Sequence, residues 1–215
     1  FYSGQALAQA GADTLPALIE AVESGNDYTQ ISALHALGMM AKMAGKNPQV
    51  DLSPVFYSAA PALRKTLKDK NYIVRETACA TFARLGTAGA PAIDDLIALL
   101  EDENFCVVNR AVHAVAAADP GGAKSVPALV KTLESEHDVR EFIVKELGAM
   151  GQGAKDAVPA LCKLVGEDKN SWHVALASTV ALLNIVTYKE EPAQDAVAAE
   201  RKQALRAIGE ALMNQ

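Results

Sequence analysis

Residues 61–86 read PALRKTLKDKNYIVRETACATFARLG. Pro61 opens a short helix in which Ala62, Leu63 and Leu67 share one face. Asp69, Lys70 and Asn71 then break the apolar pattern. A second helix follows, with Ile73, Val74, Ala78, Phe82 and Leu85 at helical spacing until Gly86 stops it. Two such short helices cannot bury their apolar faces alone, so the stretch calls for neighbours built the same way.

Those neighbours are present. Downstream, Leu96, Leu100, Val107 and Ala111 repeat Leu63, Leu67, Val74 and Ala78 at an offset of 33 residues. Pro127 then matches Pro61, Val139-Arg140 matches Val74-Arg75, and Pro159 follows Pro127 by 32. Upstream, Pro16 and Met40 match Pro61 and Leu85 at an offset of 45, which is long because Gly45–Tyr57, rich in Pro and small polar residues, reads as an inserted loop. Its Phe56 and Tyr57 either anchor a partner or pack on the adjacent helix. The prolines are expected in the first turns of helices, where a missing N–H costs nothing. Ser58, Ser125 and Asp156 are candidate caps for first helices, and Asn71, Asn104 and Asp138 for second helices.

The opening SGQALAQAG places Leu7, Ala10 and Gly11 against Phe82, Leu85 and Gly86. It reads either as the second helix of a repeat lacking its first, in a piece of a longer protein, or as a frayed terminus. At the other end Val197, Ala204, Leu205, Ile208 and Leu212 make one apolar stripe. A closing amphipathic helix fits, since a terminal repeat must hide one face from water. The expected organisation is therefore an all-α array over residues 1–190, interrupted at 45–57, with residues 191–215 capping the same domain. The fold class is an α-α superhelix of about five helix pairs.

Half of the residues are hydrophobic but only 5% are aromatic, so alanine carries much of the apolar content and lets helices approach closely. A formal charge of −6 argues against a general polyanion binder, whose phosphate contacts need clustered cations; nucleic acid is not an expected partner. Cys79, Cys106 and Cys162 cannot all pair and show no CxxC spacing, which favours a reducing, cytoplasmic setting. No apolar run reaches the roughly 20 residues that cross a bilayer.

The repeated pattern resembles the short type of HEAT repeat, PALxxLL, then Asp, then VRxxAAxALxxLG, over Leu15 to Ile185. The match is best at Pro61–Gly86 and Pro127–Gly151. The Val-Arg pair departs from the pattern in two copies, where Val108 and Ala175 stand in the arginine's place. The resemblance implies that Arg75 belongs to a structural ladder with Asp69. It also implies a concave side lined by second helices, where partners dock. Outward positions on those helices are Ile31, His35 and Met39; Glu76, Ala80 and Arg84; Asn109, His113 and Ala117; Glu141, Lys145 and Ala149; and Leu176, Val180 and Asn184.

Catalytic chemistry finds little support. His35 and His113 share a repeat position but lie two repeats apart, about 20 Å at an interhelix spacing of about 8–10 Å, too far to share a metal. The His-Glu dipeptides of deoxyhypusine-hydroxylase-like di-iron enzymes are missing, and so is the basic aromatic groove of HEAT-like DNA glycosylases. Cys162 has no recognisable base beside it. Trp172 is expected to be partly buried against the preceding turn. Gly148–Gly153 follows a helix, so it reads as a helix stop rather than a phosphate loop. No cofactor, metal or catalytic residue is expected. The expected function is a non-catalytic protein-interaction scaffold, with a HEAT-type bilin lyase as the alternative. The expected partner-binding residues are His35, Arg84, Asn109, His113, Glu141 and Lys145, whose mixed charge suits a protein rather than a uniform phosphate backbone.

Overall fold

The computed structural model describes residues 4–45, 53–135, 139–167 and 172–187, and every regular element among them is helical. The chain forms two compact units, Phe1–Asp119 and Pro120–Gln215. In the first, α1 (Gly4–Ser24) pairs with α2 (Asp27–Gly45) and α3 (Ser53–Thr66) with α4 (Tyr72–Leu85). Helix α5 (Ile93–Ala98), with 3-10 turns at Gly86–Ala92 and Leu99–Glu101, pairs with α6 (Phe105–Ala118). In the second unit α7 (Ser125–Ser135) pairs with α8 (Arg140–Met150). Helix α9 (Val158–Glu167), entered through a 3-10 turn at Gly151–Ala157, pairs with α10 (Trp172–Thr187). The described helices are thus five pairs of an all-α repeat fold.

The second helices begin and end as their residues dictate. Asn71 and Asn104 are N-caps, their side-chain oxygens accepting from the backbone N–H of Ile73 at 3.0 Å and of Cys106 at 2.9 Å. Gly86 and Gly151 end α4 and α8 at φ of 58° and 56°, values that a side chain resists. Between the caps α4 buries Val74, Ala78 and Phe82 as its spacing predicts, but also Arg75, Cys79 and Thr81. It is covered from two sides. Thr81 Oγ1 donates to the Leu34 carbonyl of α2 at 2.9 Å, while Arg110 of α6 bonds Glu76 at 3.2 Å.

The ladder arginine behaves differently from what the resemblance implies. The Arg75 guanidinium forms a two-point pair with Asp102 in the next repeat's turn, at 2.8 and 2.9 Å, not with the Asp69 carboxylate. It still touches its own turn, through the Asp69 carbonyl at 2.8 Å. The Asp102 hydrogen bond raises the Arg75 pKa further above its ordinary value. In the second unit Arg140 donates to the Leu133 carbonyl at 3.0 Å.

Several first-helix expectations need correction. Helix α3 starts at Ser53, so residues 53–57 are helical rather than loop, and Ser58 lies inside the helix instead of capping it. Pro61 accordingly sits mid-helix, where it has no N–H for the Tyr57 carbonyl one turn back. The reason is burial: Phe56, Ala59, Leu63 and Leu67 form one buried stripe. Burying Phe56, Leu63 and Leu67 at about 1.5–3 kcal/mol each outweighs the roughly 3 kcal/mol of an interior proline. Tyr57, on the other face, is exposed. Pro16 likewise lies within α1, which runs unbroken through Gly11, so Gly11 does not stop a helix as Gly86 does. Pro127 and Pro159 are in first turns as expected. Ile73, placed on the apolar face by its spacing, is 41% exposed. Residues 46–52, Asp138 and the closing helix expected at 191–215 lie outside the described residues.

Candidate functional site

In the second unit α8 and α10 pack side by side. Helix α8 buries Ile143, Val144 and Leu147, and α10 buries Val174, Leu182 and Ile185. Their closest approach is set by two small residues. A Cβ on Gly148 would stand 2.9 Å from the Ala181 Cα and 3.0 Å from its Cβ, so only glycine fits there.

An open groove of about 350 Å³ lies at this crossing. Its apolar lining is Val144, Leu176, Ala177, Val180 and Ala181, with Gly148 at the crossing. Leu176 and Val180 are 55% and 48% exposed, although both are large aliphatic side chains on a helix. The polar lining is Glu141, Lys145, His173 and Asn184. Glu141 and Lys145 form an ion pair one turn apart on α8. The Lys145 ammonium holds the Glu141 carboxyl below the usual carboxylate range, by hydrogen bond first and by charge second. The His173 ring stacks against Trp172, with centroids 3.5 Å apart and planes at 31°. Trp172 itself is 66% exposed, contrary to the expectation of partial burial.

The first unit treats the equivalent crossing differently. Gly38 of α2 holds the repeat position of Gly148, and Thr81 and Arg84 of α4 hold those of Ala181 and Asn184. A Cβ on Gly38 would stand 3.0 Å from Arg84 Nη1 and 3.2 Å from its Cδ. The arginine stem therefore lies over this crossing, where the shorter Asn184 leaves its own open.

Of the six expected binding residues, His35, Arg84, Asn109 and His113 belong to the first unit, and Glu141 and Lys145 to the second. His35, His113 and Lys145 are exposed; Arg84, Asn109 and Glu141 are half-buried. The groove brings Glu141 and Lys145 together with Leu176, Val180 and Asn184, outward positions that the spacing also marks. His173 and Ala177 escaped notice in the sequence. The signal for them is Gly148 in a helix interior, one turn before the Gly151 stop, which marks a close approach. Among the described residues no group of three or more His, Cys, Asp or Glu could hold a metal ion. Burial pushes the half-buried Cys162 thiol up, away from the reactive thiolate. No described helix is long and apolar enough to cross a membrane. The site can hold an apolar side chain beside a fixed ion pair, with His173 and Asn184 as its other polar groups.

Residues 93–183 match the family model for HEAT repeats. No curated protein matches the sequence. Among solved structures, a designed armadillo repeat protein in complex with the peptide (KR)4 is similar at a TM-score of 0.60 and 21% identity, covering 90% of this chain and 98% of its own. An engineered protein is similar at 0.59 and 19% identity, covering 92% and 97%. A computationally designed armadillo repeat protein for modular peptide recognition is similar at 0.54 and 20% identity, covering 90% and 99%. These likenesses concern the fold, and the bilin-lyase alternative gains no support from them.

Proposed function

We propose that this chain, which carries HEAT repeats over residues 93–183, is a protein-interaction module that binds a peptide segment of its partner on the second helices, with the α8–α10 groove as the principal pocket. One observation carries the reading. Leu176 and Val180 stand exposed in a concave, mostly apolar groove, a place where an incoming apolar side chain gains about 25 cal/mol for each Å² removed from water. The Glu141–Lys145 pair beside them supplies both signs of charge for orienting polar backbone or side-chain groups. His35, Arg84, Asn109 and His113 offer further polar contacts at the matching positions of the first unit. Two of the similar designed proteins are described by peptide binding or recognition, which favours the same use of the fold here. The mixed charge argues for a protein partner over nucleic acid, whose phosphates ask for one sign.

The test is a peptide selected on the intact chain from a random library and titrated by fluorescence anisotropy. Val180→Asp and Lys145→Glu, both at exposed positions, are expected to weaken binding about tenfold or more each. The changes desolvate a charge in the pocket and break the ion pair. A selected peptide that binds both variants as it binds the parent would place the site elsewhere.

A further inference from the structure

Arg84 stands apart from the other arginines of the described residues. Arg64 pairs with Asp95, Arg75 with Asp102 and Arg110 with Glu76, and Arg140 donates to the Leu133 carbonyl. Arg84 alone among them meets no hydrogen-bond or ion-pair partner within the described residues. Its stem is nevertheless held. It is half-buried and crosses α2 so closely that a Cβ on Gly38 would stand 3.0 Å from Nη1 and 3.2 Å from Cδ. The last turn of α4 suits a cation, since the helix dipole is negative there, but the dipole leaves the N–H fork of the guanidinium unused. No acid of the flanking second helices fills it. Helices α2, α4 and α6 contain two carboxylates, and both are engaged elsewhere. Asp27, at the far end of α2, accepts from the Asn71 side chain at 2.7 Å. Glu76, about 12 Å back along α4, bonds Arg110 at 3.2 Å. At the level of Arg84 the repeat register instead sets Met39 on α2, 40% exposed, and Ala117 on α6.

We propose that Arg84 is an acid-recognition point: it receives the carboxylate of an aspartate or glutamate in an acidic peptide segment of the partner, and Met39 offers an apolar contact beside it. The proposal rests on the reading of the chain as a peptide-binding module and names the chemistry of the segment that the first unit takes. Three arguments select a carboxylate. The planar guanidinium presents parallel N–H groups that match two carboxylate oxygens, a geometry that Arg75 already makes with Asp102. A half-buried cation is less screened than a fully solvated one, so an incoming anion gains more there. Finally, this end of the three helices is one-signed although the whole chain carries a formal charge of −6: its charged residues are Lys42 and Arg84. Two cations beside Met39 and Ala117 suit one or two acidic side chains; a nucleic-acid backbone calls for a continuous track of cations.

The test uses the full chain and NMR of its arginine Nε–H groups. The probe is an acetylated and amidated peptide alternating glutamate and alanine, with its glutamine counterpart as control. Saturating shifts of Arg84 are expected with the glutamate peptide, and binding about tenfold weaker or more with the glutamine one. Arg64 and Arg110, already paired and similarly accessible at 48% and 53%, are expected to stay in place. Arg84→Gln should abolish the binding, read on the Met39 methyl, and Arg84→Lys, which keeps the charge but loses the fork, should weaken it severalfold. The glutamine control uses the parent chain, so the result does not depend on a variant that folds. Equal shifts of Arg64 and Arg84, or equal affinity for the two peptides, would reduce the effect to general surface attraction and overturn the proposal. So would a response to a phosphoserine peptide alone. Val180→Asp, which tests the α8–α10 groove, should leave the Arg84 response unchanged, so the groove can fail while this site stands. Loss of the Arg84 response in that variant overturns the proposal by moving the acid to the groove.

Discussion

Removing Asp102 should be among the most damaging single changes to the first unit. The Asp102 and Arg75 side chains are only 6% and 9% exposed. Asp102→Ala strips the Arg75 Nε and Nη2 of their acceptors at 2.8 and 2.9 Å. The guanidinium keeps the Asp69 carbonyl, but Glu103, 3.7 Å away and 89% exposed, is too solvated to replace a buried carboxylate. A buried charge left without its partner costs about 3–5 kcal/mol. The change also removes the acceptor of the Asn104 N–H at 2.9 Å, just where Asn104 caps α6. The surface pair Arg64–Asp95 is the comparison. Arg64 is 48% exposed and Lys68 also bonds Asp95, so Arg64→Ala should cost about 0–1 kcal/mol. Because repeat arrays open locally, native-state hydrogen exchange read on α4 and α6 is the appropriate assay. Adding Arg75→Met to Asp102→Ala should recover part of the loss by removing the stranded charge. A cost for Asp102→Ala below about 1 kcal/mol, or no recovery in the double variant, would refute the reasoning.

Two further stability predictions concern the second helices. Phe82→Ala empties the space of a side chain that is 1% exposed, and denaturant unfolding should show a loss of about 3–5 kcal/mol; Glu76→Ala, which breaks only the partly exposed bond to Arg110, should lose no more than about 1 kcal/mol, and equal losses would contradict the assigned faces. Ser178 is buried with its hydroxyl unpartnered, at the position that Ala78 holds in α4. Ser178→Ala should therefore stabilise the second unit by about 1 kcal/mol, and a melting temperature that falls would mean the hydroxyl has a role the packing does not show.

The second helices were legible through a 3.6-residue apolar period, sharpened by an Asn cap at Asn71 and Asn104 and by a glycine stop at Gly86 and Gly151. The first helices were harder because proline punctuates both helix starts and, where burial is strong enough, helix interiors. Pro61 is the second kind, and only the packing of Phe56 and Ala59 reveals it. The Arg75 ladder had the right arginine and the wrong aspartate, Asp69 in place of Asp102, since sequence spacing does not say whether an arginine reaches its own turn or the next one. The groove was half legible. Outward positions such as Lys145, Leu176 and Val180 follow from helical spacing, but the opening between helices depends on how closely Gly148 and Ala181 approach. That distance belongs to tertiary packing. Likewise, the spacing gives Arg84 and Asn184 one role, yet the length of the side chain decides that one covers its crossing and the other leaves it open.

The central claim is that the α8–α10 groove receives the partner's peptide. The most direct measurement is methyl NMR of the intact chain during titration with a selected peptide, using Val and Leu labels. The account predicts saturating shifts for Val144, Leu176 and Val180, which line the groove, and none for Leu67 and Leu96, buried in the first unit. Saturable binding that leaves Val144, Leu176 and Val180 unshifted would contradict it.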